Sequence, residues 1–117
     1  MTDQQTQAER KLAEDTFSFC MERMYEHYTI RFLAARAGVS PTKLKQIYHR
    51  VYGAPVFSHI RKEKMHWAAR QLVSSNERIL DIASACGYDN ASKFSAAFHD
   101  VFGVSPRKFR EKKVCSE

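Results

Sequence analysis

The chain has 117 residues, 44% of them hydrophobic and 27% charged, with a net charge of +6. That length fits one domain or two very small ones, and its core is too modest to enclose a large substrate. No apolar run approaches a membrane span and the opening MTDQQTQAERK has no signal-peptide character, so an intracellular, cytoplasmic chain is expected.

The pattern is all-helical, because Gly and Pro are few and fall at boundaries rather than in a strand-like rhythm. A first helix is expected over residues 6–26, on the spacing of Leu12, Phe17, Cys20, Met21 and Met24. Thr29 then caps a short helix at about 30–37, which Gly38 ends. Ser40 caps the next helix, with Pro41 at its first position, where a missing N–H costs nothing, and Gly53 closes it. A long helix follows at 55–74, carrying Phe57, Ile60, Met65, Ala68, Leu72 and Val73. A short helix at 79–86 ends at Gly87. Asn90 caps a helix running to about 102, closed by Gly103, and Ser105-Pro106 starts the last one.

An internal repeat organises these elements. IRFLAARAG (30–38) lies over ILDIASACG (79–87), and after a one-residue insertion Ser40, Leu44, Tyr48, Val51 and Gly53 match Asn90, Phe94, Phe98, Val101 and Gly103. Caps align with caps and apolar residues with apolar residues. The unit is short helix, glycine turn, longer helix: a helix-turn-helix used twice. The small Ala34 and Ala83 let the paired helices cross closely. The expected organisation is a tail at 1–11, a first subdomain at 12–54, a linker helix at 55–74, a second subdomain at 75–113 and a tail at 114–117.

Charge is unevenly placed. Residues 27–75 hold nine Lys/Arg against a single acid, Glu63, whereas the flanking segments are acidic or nearly balanced. A basic block of this kind around a helix-turn-helix points to nucleic acid. In helix 41–52, Leu44, Ile47, Tyr48 and Val51 form the inward stripe. The outward side presents Thr42, Lys45, Gln46 and His49, flanked by Lys43 and Arg50. A helix fits the major groove of B-form DNA, where Lys donates to guanine, Gln pairs with adenine and the Thr methyl meets thymine. The second unit buries Phe94, Ala97, Phe98 and Val101, and offers Ser92, Ser95, Ala96 and His99, edged by Asn90, Ala91 and Lys93. Its short side chains suit shape, methyl and phosphate contacts more than two-pronged base contacts. Lys43, Arg50, Lys93 and His99 are expected to contact phosphates, and Arg61, Lys62, Arg107 and Lys108 flank the recognition helices as further phosphate candidates.

Other chemistry is poorly supported. Cys20, Cys86 and Cys115 are far apart and odd in number, with no metal-ligand spacing, so two half-buried thiols and one free tail thiol are expected, a redox sensor being the lesser alternative. His49 and His99 occupy matching positions without a Cys or carboxylate cluster, and no cofactor or metal is expected. Asp15, His66 and Ser84 sit in separate helices and make no credible triad, so no enzyme is expected. The rival to DNA binding is a protein-interaction module docking an acidic partner by the basic face, or a non-specific nucleic-acid binder.

The segment ILDIASACGYDNASKFSAAFHDVFGVSPRKFR resembles the second helix-turn-helix of the AraC/XylS family of bacterial transcription regulators. The resemblance is carried by Ile79, Ile82, Ala83, Gly87, Tyr88, Phe94, Phe98, Phe102, Gly103, Ser105, Pro106, Phe109 and Arg110. The first unit is similar through Leu33, Ala34, Gly38, Val39, Ser40, Leu44, Tyr48 and Gly53, and the likeness covers roughly residues 12–113. It implies seven helices, two helix-turn-helix subdomains on a rigid central helix, and insertion into two successive major-groove segments. The family's base-contacting positions fall on Thr42, Lys45, Gln46, Ala91, Ser92 and Ala96; some members carry Gln and Arg where this chain has Ser92 and Ala96. It further implies transcription control, more often activation. RNA polymerase is expected as a second partner, and two recognition helices on one rigid linker are expected to let a monomer cover an asymmetric site. Members commonly carry an effector domain ahead of this one, which leaves a stand-alone regulator and a DNA-binding fragment both open.

Overall fold

The computed structural model describes residues 3–115, and side-chain burial over 6–112. Among the described residues there are seven helices: α1 (Asp3–Met21), α2 (Ile30–Ala37), α3 (Pro41–Tyr52), α4 (Val56–Ser74), α5 (Ile79–Ala85), α6 (Ala91–Phe102) and α7 (Pro106–Cys115). The chain divides into two compact units, residues 1–60 and 61–117, with α4 running across the division.

The caps read from the sequence are made. Ser40 Oγ accepts from the Lys43 N–H at 3.1 Å, and Asn90 Oδ1 accepts from the Lys93 N–H at 2.8 Å. Each satisfies one of the orphan donors at a helix start, and an alanine there typically costs about 1 kcal/mol. Gly53 and Gly103 end α3 and α6 with φ of 72° and 76°, a left-handed conformation that a Cβ disfavours, and each N–H returns to the carbonyl four residues back.

The first helix differs from expectation at both ends. It begins at Asp3, inside the segment expected as a tail, and ends at Met21 rather than near 26. The early stop has a local cause. The Arg23 guanidinium donates to the Phe19 carbonyl at 3.2 Å, taking the acceptor that the Arg23 N–H would use in a continuing helix. That N–H bonds to Cys20 instead, and the chain turns again at Glu26.

In the first unit, α1 packs chiefly on α3, and α2 crosses α3. Their core joins Ala13, Cys20, Leu33, Ala34, Leu44, Ile47 and Tyr48 to Val56 and Ile60 from the start of α4. In the second unit, Met65, Ala68, Ala69 and Leu72 of α4 pack with Ile82, Ala83, Cys86, Phe94, Ala97 and Phe98. The Arg110 guanidinium donates to the carbonyls of Leu72 and Ser75, tying α7 to the end of α4.

Among the described residues neither Cys20 nor Cys86 is in a disulfide, and both are buried rather than half-buried, at 5% and 0% exposure. Cys20 belongs to α1 and Cys86 is the residue that closes α5, and each is packed into the core of its unit. Cys115 lies outside the residues whose side chains are described. Burial pushes the Cys86 thiol up to about 11, against a small opposing pull from Lys64. The thiolate is the reactive species, so at pH 8 Cys86 is both protonated and inaccessible. Alkylation with iodoacetamide at that pH will leave Cys20 and Cys86 unmodified in the native chain and label both in urea, as read by peptide mass mapping.

Candidate nucleic-acid interface

The hydrophobic stripe of each longer helix decides which side chains face outward. In α3, Leu44, Ile47 and Tyr48 are buried, so Thr42, Lys43, Lys45, Gln46, His49 and Arg50 are exposed. In α6, Phe94, Ala97 and Phe98 are buried, and Ala91, Ser92, Lys93, Ala96 and His99 are exposed. Ser95 is only half-exposed. It sits at the edge of the α6 stripe, next to Phe94, and is less available than its neighbours.

The outward side chains are not equally free. Thr42, Lys45, Gln46 and His49 make no side-chain ion pair or hydrogen bond among the described residues. They cover the outer side of α3. Lys45 and His49 also border a groove of about 450 Å³ floored by Ile30, Pro55, Val56 and Phe57. Phe57 remains 47% exposed there.

The flanking cations divide into two sets. Lys62, Lys93 and Lys108 are exposed and make no ion pair among the described residues. Arg50, Arg61 and Arg107 are already engaged. Arg50 holds Glu9 of α1 through two parallel bonds, Nη2 to Oε2 at 2.9 Å and Nε to Oε1 at 3.3 Å. Arg61 of α4 pairs with Asp100 of α6. Arg107 pairs with Glu111 one turn along α7, at 3.3 Å. Sequence reading missed Glu9 and Asp100 as partners, since they lie 41 and 39 residues from their arginines.

Among the described residues, no group of three or more His, Cys, Asp or Glu could hold a metal ion. No helix among them is long and apolar enough to cross a membrane.

Two capped helix-turn-helix units, each with an inward apolar stripe and an outward polar one, define a double helix-turn-helix domain. A helix-turn-helix domain profile matches residues 33–112. The transcriptional activator AarP of Providencia stuartii is 27% identical over 78 residues, which cover 67% of this chain and 58% of that protein. The transcriptional activator RhaR of Yersinia pseudotuberculosis is 33% identical over 73 residues, covering 62% of this chain and 25% of that one. The chain therefore spans from a quarter to just over half the length of these curated relatives.

Among solved structures, the C-terminal domain of the response regulator AraT from Geobacillus stearothermophilus superposes with a TM-score of 0.80 at 27% identity, over 86% of this chain and 84% of that one. The DNA-binding domain of AdpA, solved with a target DNA, gives 0.83 at 20% identity, over 90% and 95%, and shares the fold. The chain belongs to the AraC/XylS family of helix-turn-helix regulators.

Proposed function

We propose that this chain binds specific duplex DNA and controls transcription, chiefly as an activator, by placing α3 and α6 in successive major-groove segments. The observation that carries this reading is the duplicated helix whose outer side is polar and, in α3, unpaired. Such a surface is costly to keep desolvated against protein and well matched to base edges. Thr42, Lys45, Gln46 and His49 read bases from α3. Ala91, Ser92, Ser95 and Ala96 contribute shorter contacts from α6, with Ser95 the most recessed. Lys43, Lys62, Lys93, His99 and Lys108 meet phosphates. Arg107 reaches phosphate only by leaving Glu111, a small cost for an exposed pair.

Binding as a monomer, contact with RNA polymerase and a cytoplasmic location complete the reading, and no catalytic role is assigned. AarP and RhaR carry the name of activators, and the AdpA domain was solved on its DNA; both support it. The test is affinity for a selected duplex against a random one at matched salt. Specific recognition gives a ratio of about 10³ or more, whereas phosphate-driven binding gives a ratio near one.

Lysines that meet phosphate have their own signature. Changing Lys62, Lys93 and Lys108 together to Ala will weaken selected and random duplexes alike. It will also flatten the slope of log K against log salt by about 0.9 for each phosphate that is no longer neutralised. An unchanged slope removes these residues from the interface.

A further inference from the structure

In the register of the repeat, position 50 of α3 falls on position 100 of α6. One is arginine and the other aspartate, yet each is ion-paired with a different helix of its own unit: Arg50 with Glu9 of α1, and Asp100 with Arg61 of α4. The place is the same and the polarity is reversed. A position used for phosphate would be cationic in both units, and an aspartate there repels DNA.

The geometry of the first pair is specific. Both arms of the Arg50 guanidinium engage both oxygens of Glu9, whose side chain is only 18% exposed. The hydrogen bond to Arg50, then the charges of Arg50 and Lys43, hold the Glu9 carboxyl below the usual range. Lys43 and Arg50 are seven residues apart, hence on one flank of α3, and that flank looks toward α1. A helix seated on an apolar stripe can still roll about its axis. A two-armed tie on its flank opposes that roll, and roll sets the angle at which Thr42, Lys45, Gln46 and His49 are presented.

We infer that positions 50 and 100 are positioning residues, which fix the orientation of each recognition helix through a cross-helix ion pair and do not themselves contact phosphate. The inference rests on the DNA-binding reading above, and it moves Arg50 and Arg61 out of the phosphate-contacting set.

The experiment compares Glu9→Gln, Arg50→Glu and the charge-swapped double variant Glu9→Arg/Arg50→Glu, which installs in the first unit the polarity that the second already has. Arg50→Glu weakens binding to the selected duplex by about tenfold and blurs base preference only in the half-site read by α3. The double variant restores affinity to within about threefold, because a tie of either polarity positions the helix. Glu9→Gln blurs the same half-site and leaves the salt slope unchanged. In the free protein it also speeds amide hydrogen exchange in the last turns of α3.

A double variant as weak as Arg50→Glu alone overturns the inference. So does a Glu9→Gln variant that binds more tightly with a steeper salt slope, since freeing Arg50 from Glu9 would then release it for phosphate. Unaltered exchange in Glu9→Gln overturns it without reference to DNA. A wild-type chain with no duplex preference, but with the exchange effect present, overturns the DNA-binding reading instead.

Discussion

Phe98→Ala will cost about 3–5 kcal/mol of stability, the range for removing a fully buried aromatic ring. The side chain is completely buried in α6. Its ring packs against Phe102 at 4.7 Å, Phe109 of α7 at 5.4 Å and Phe94 at 6.1 Å between centroids. No small rearrangement fills that space, because the neighbours are rigid rings on three sides. A domain of this size has only about 5–15 kcal/mol in total, so the loss is a large fraction of it. Urea denaturation will show the midpoint fall sharply, with hydrogen-exchange protection lost first in α5–α7. A loss below about 1 kcal/mol would mean that the stripe does not hold α6 in place.

Lys45→Ala or Gln46→Ala will relax base preference in one half of the site by about 1–3 kcal/mol, equivalent to a loss of roughly five- to 150-fold in discrimination. Both side chains are long, exposed and free of ion pairs among the described residues. Their counterparts in α6 are Ser95 and Ala96, and neighbouring Ser92 is equally short. Small side chains add van der Waals contact but cannot span two acceptors on one base. Ser92→Ala will therefore change preference in the other half by less. Selection of bound sequences from a randomised pool, run for each variant, reads both halves at once. If Ser92→Ala scrambled its half while both α3 variants left theirs intact, readout would belong to the second unit.

What the sequence made legible follows from how local each cause is. α3 and α6 lie where they were expected because their stops and starts are written in single residues at the ends themselves: Ser40-Pro41, Gly53, Asn90 and Gly103. The bounds of α1 were not legible. Its first turns are polar and carry no periodicity, and its end is decided by a side chain, Arg23, taking a carbonyl. The outward faces were readable because burying Leu44, Ile47 and Tyr48 leaves only one set of positions outside. The engagement of Arg50 and Arg61 was not, since their partners are distant in sequence, although the repeat register did place Arg50 over Asp100. The family was recognisable for a related reason. Ile82, Ala83, Phe94, Phe98 and Pro106, which carry the resemblance, are core residues. Core residues specify a fold and are silent about the base sequence that the fold reads.

Whether the two outward helices read DNA together is decided by selection from a randomised duplex pool with the wild-type protein. The expected result is an asymmetric site with two preferred blocks about one helical turn apart, protected by a monomer, with the stronger block weakened in Lys45→Ala. A pool with no enrichment at matched salt, or a palindrome bound only by dimers, would contradict that reading.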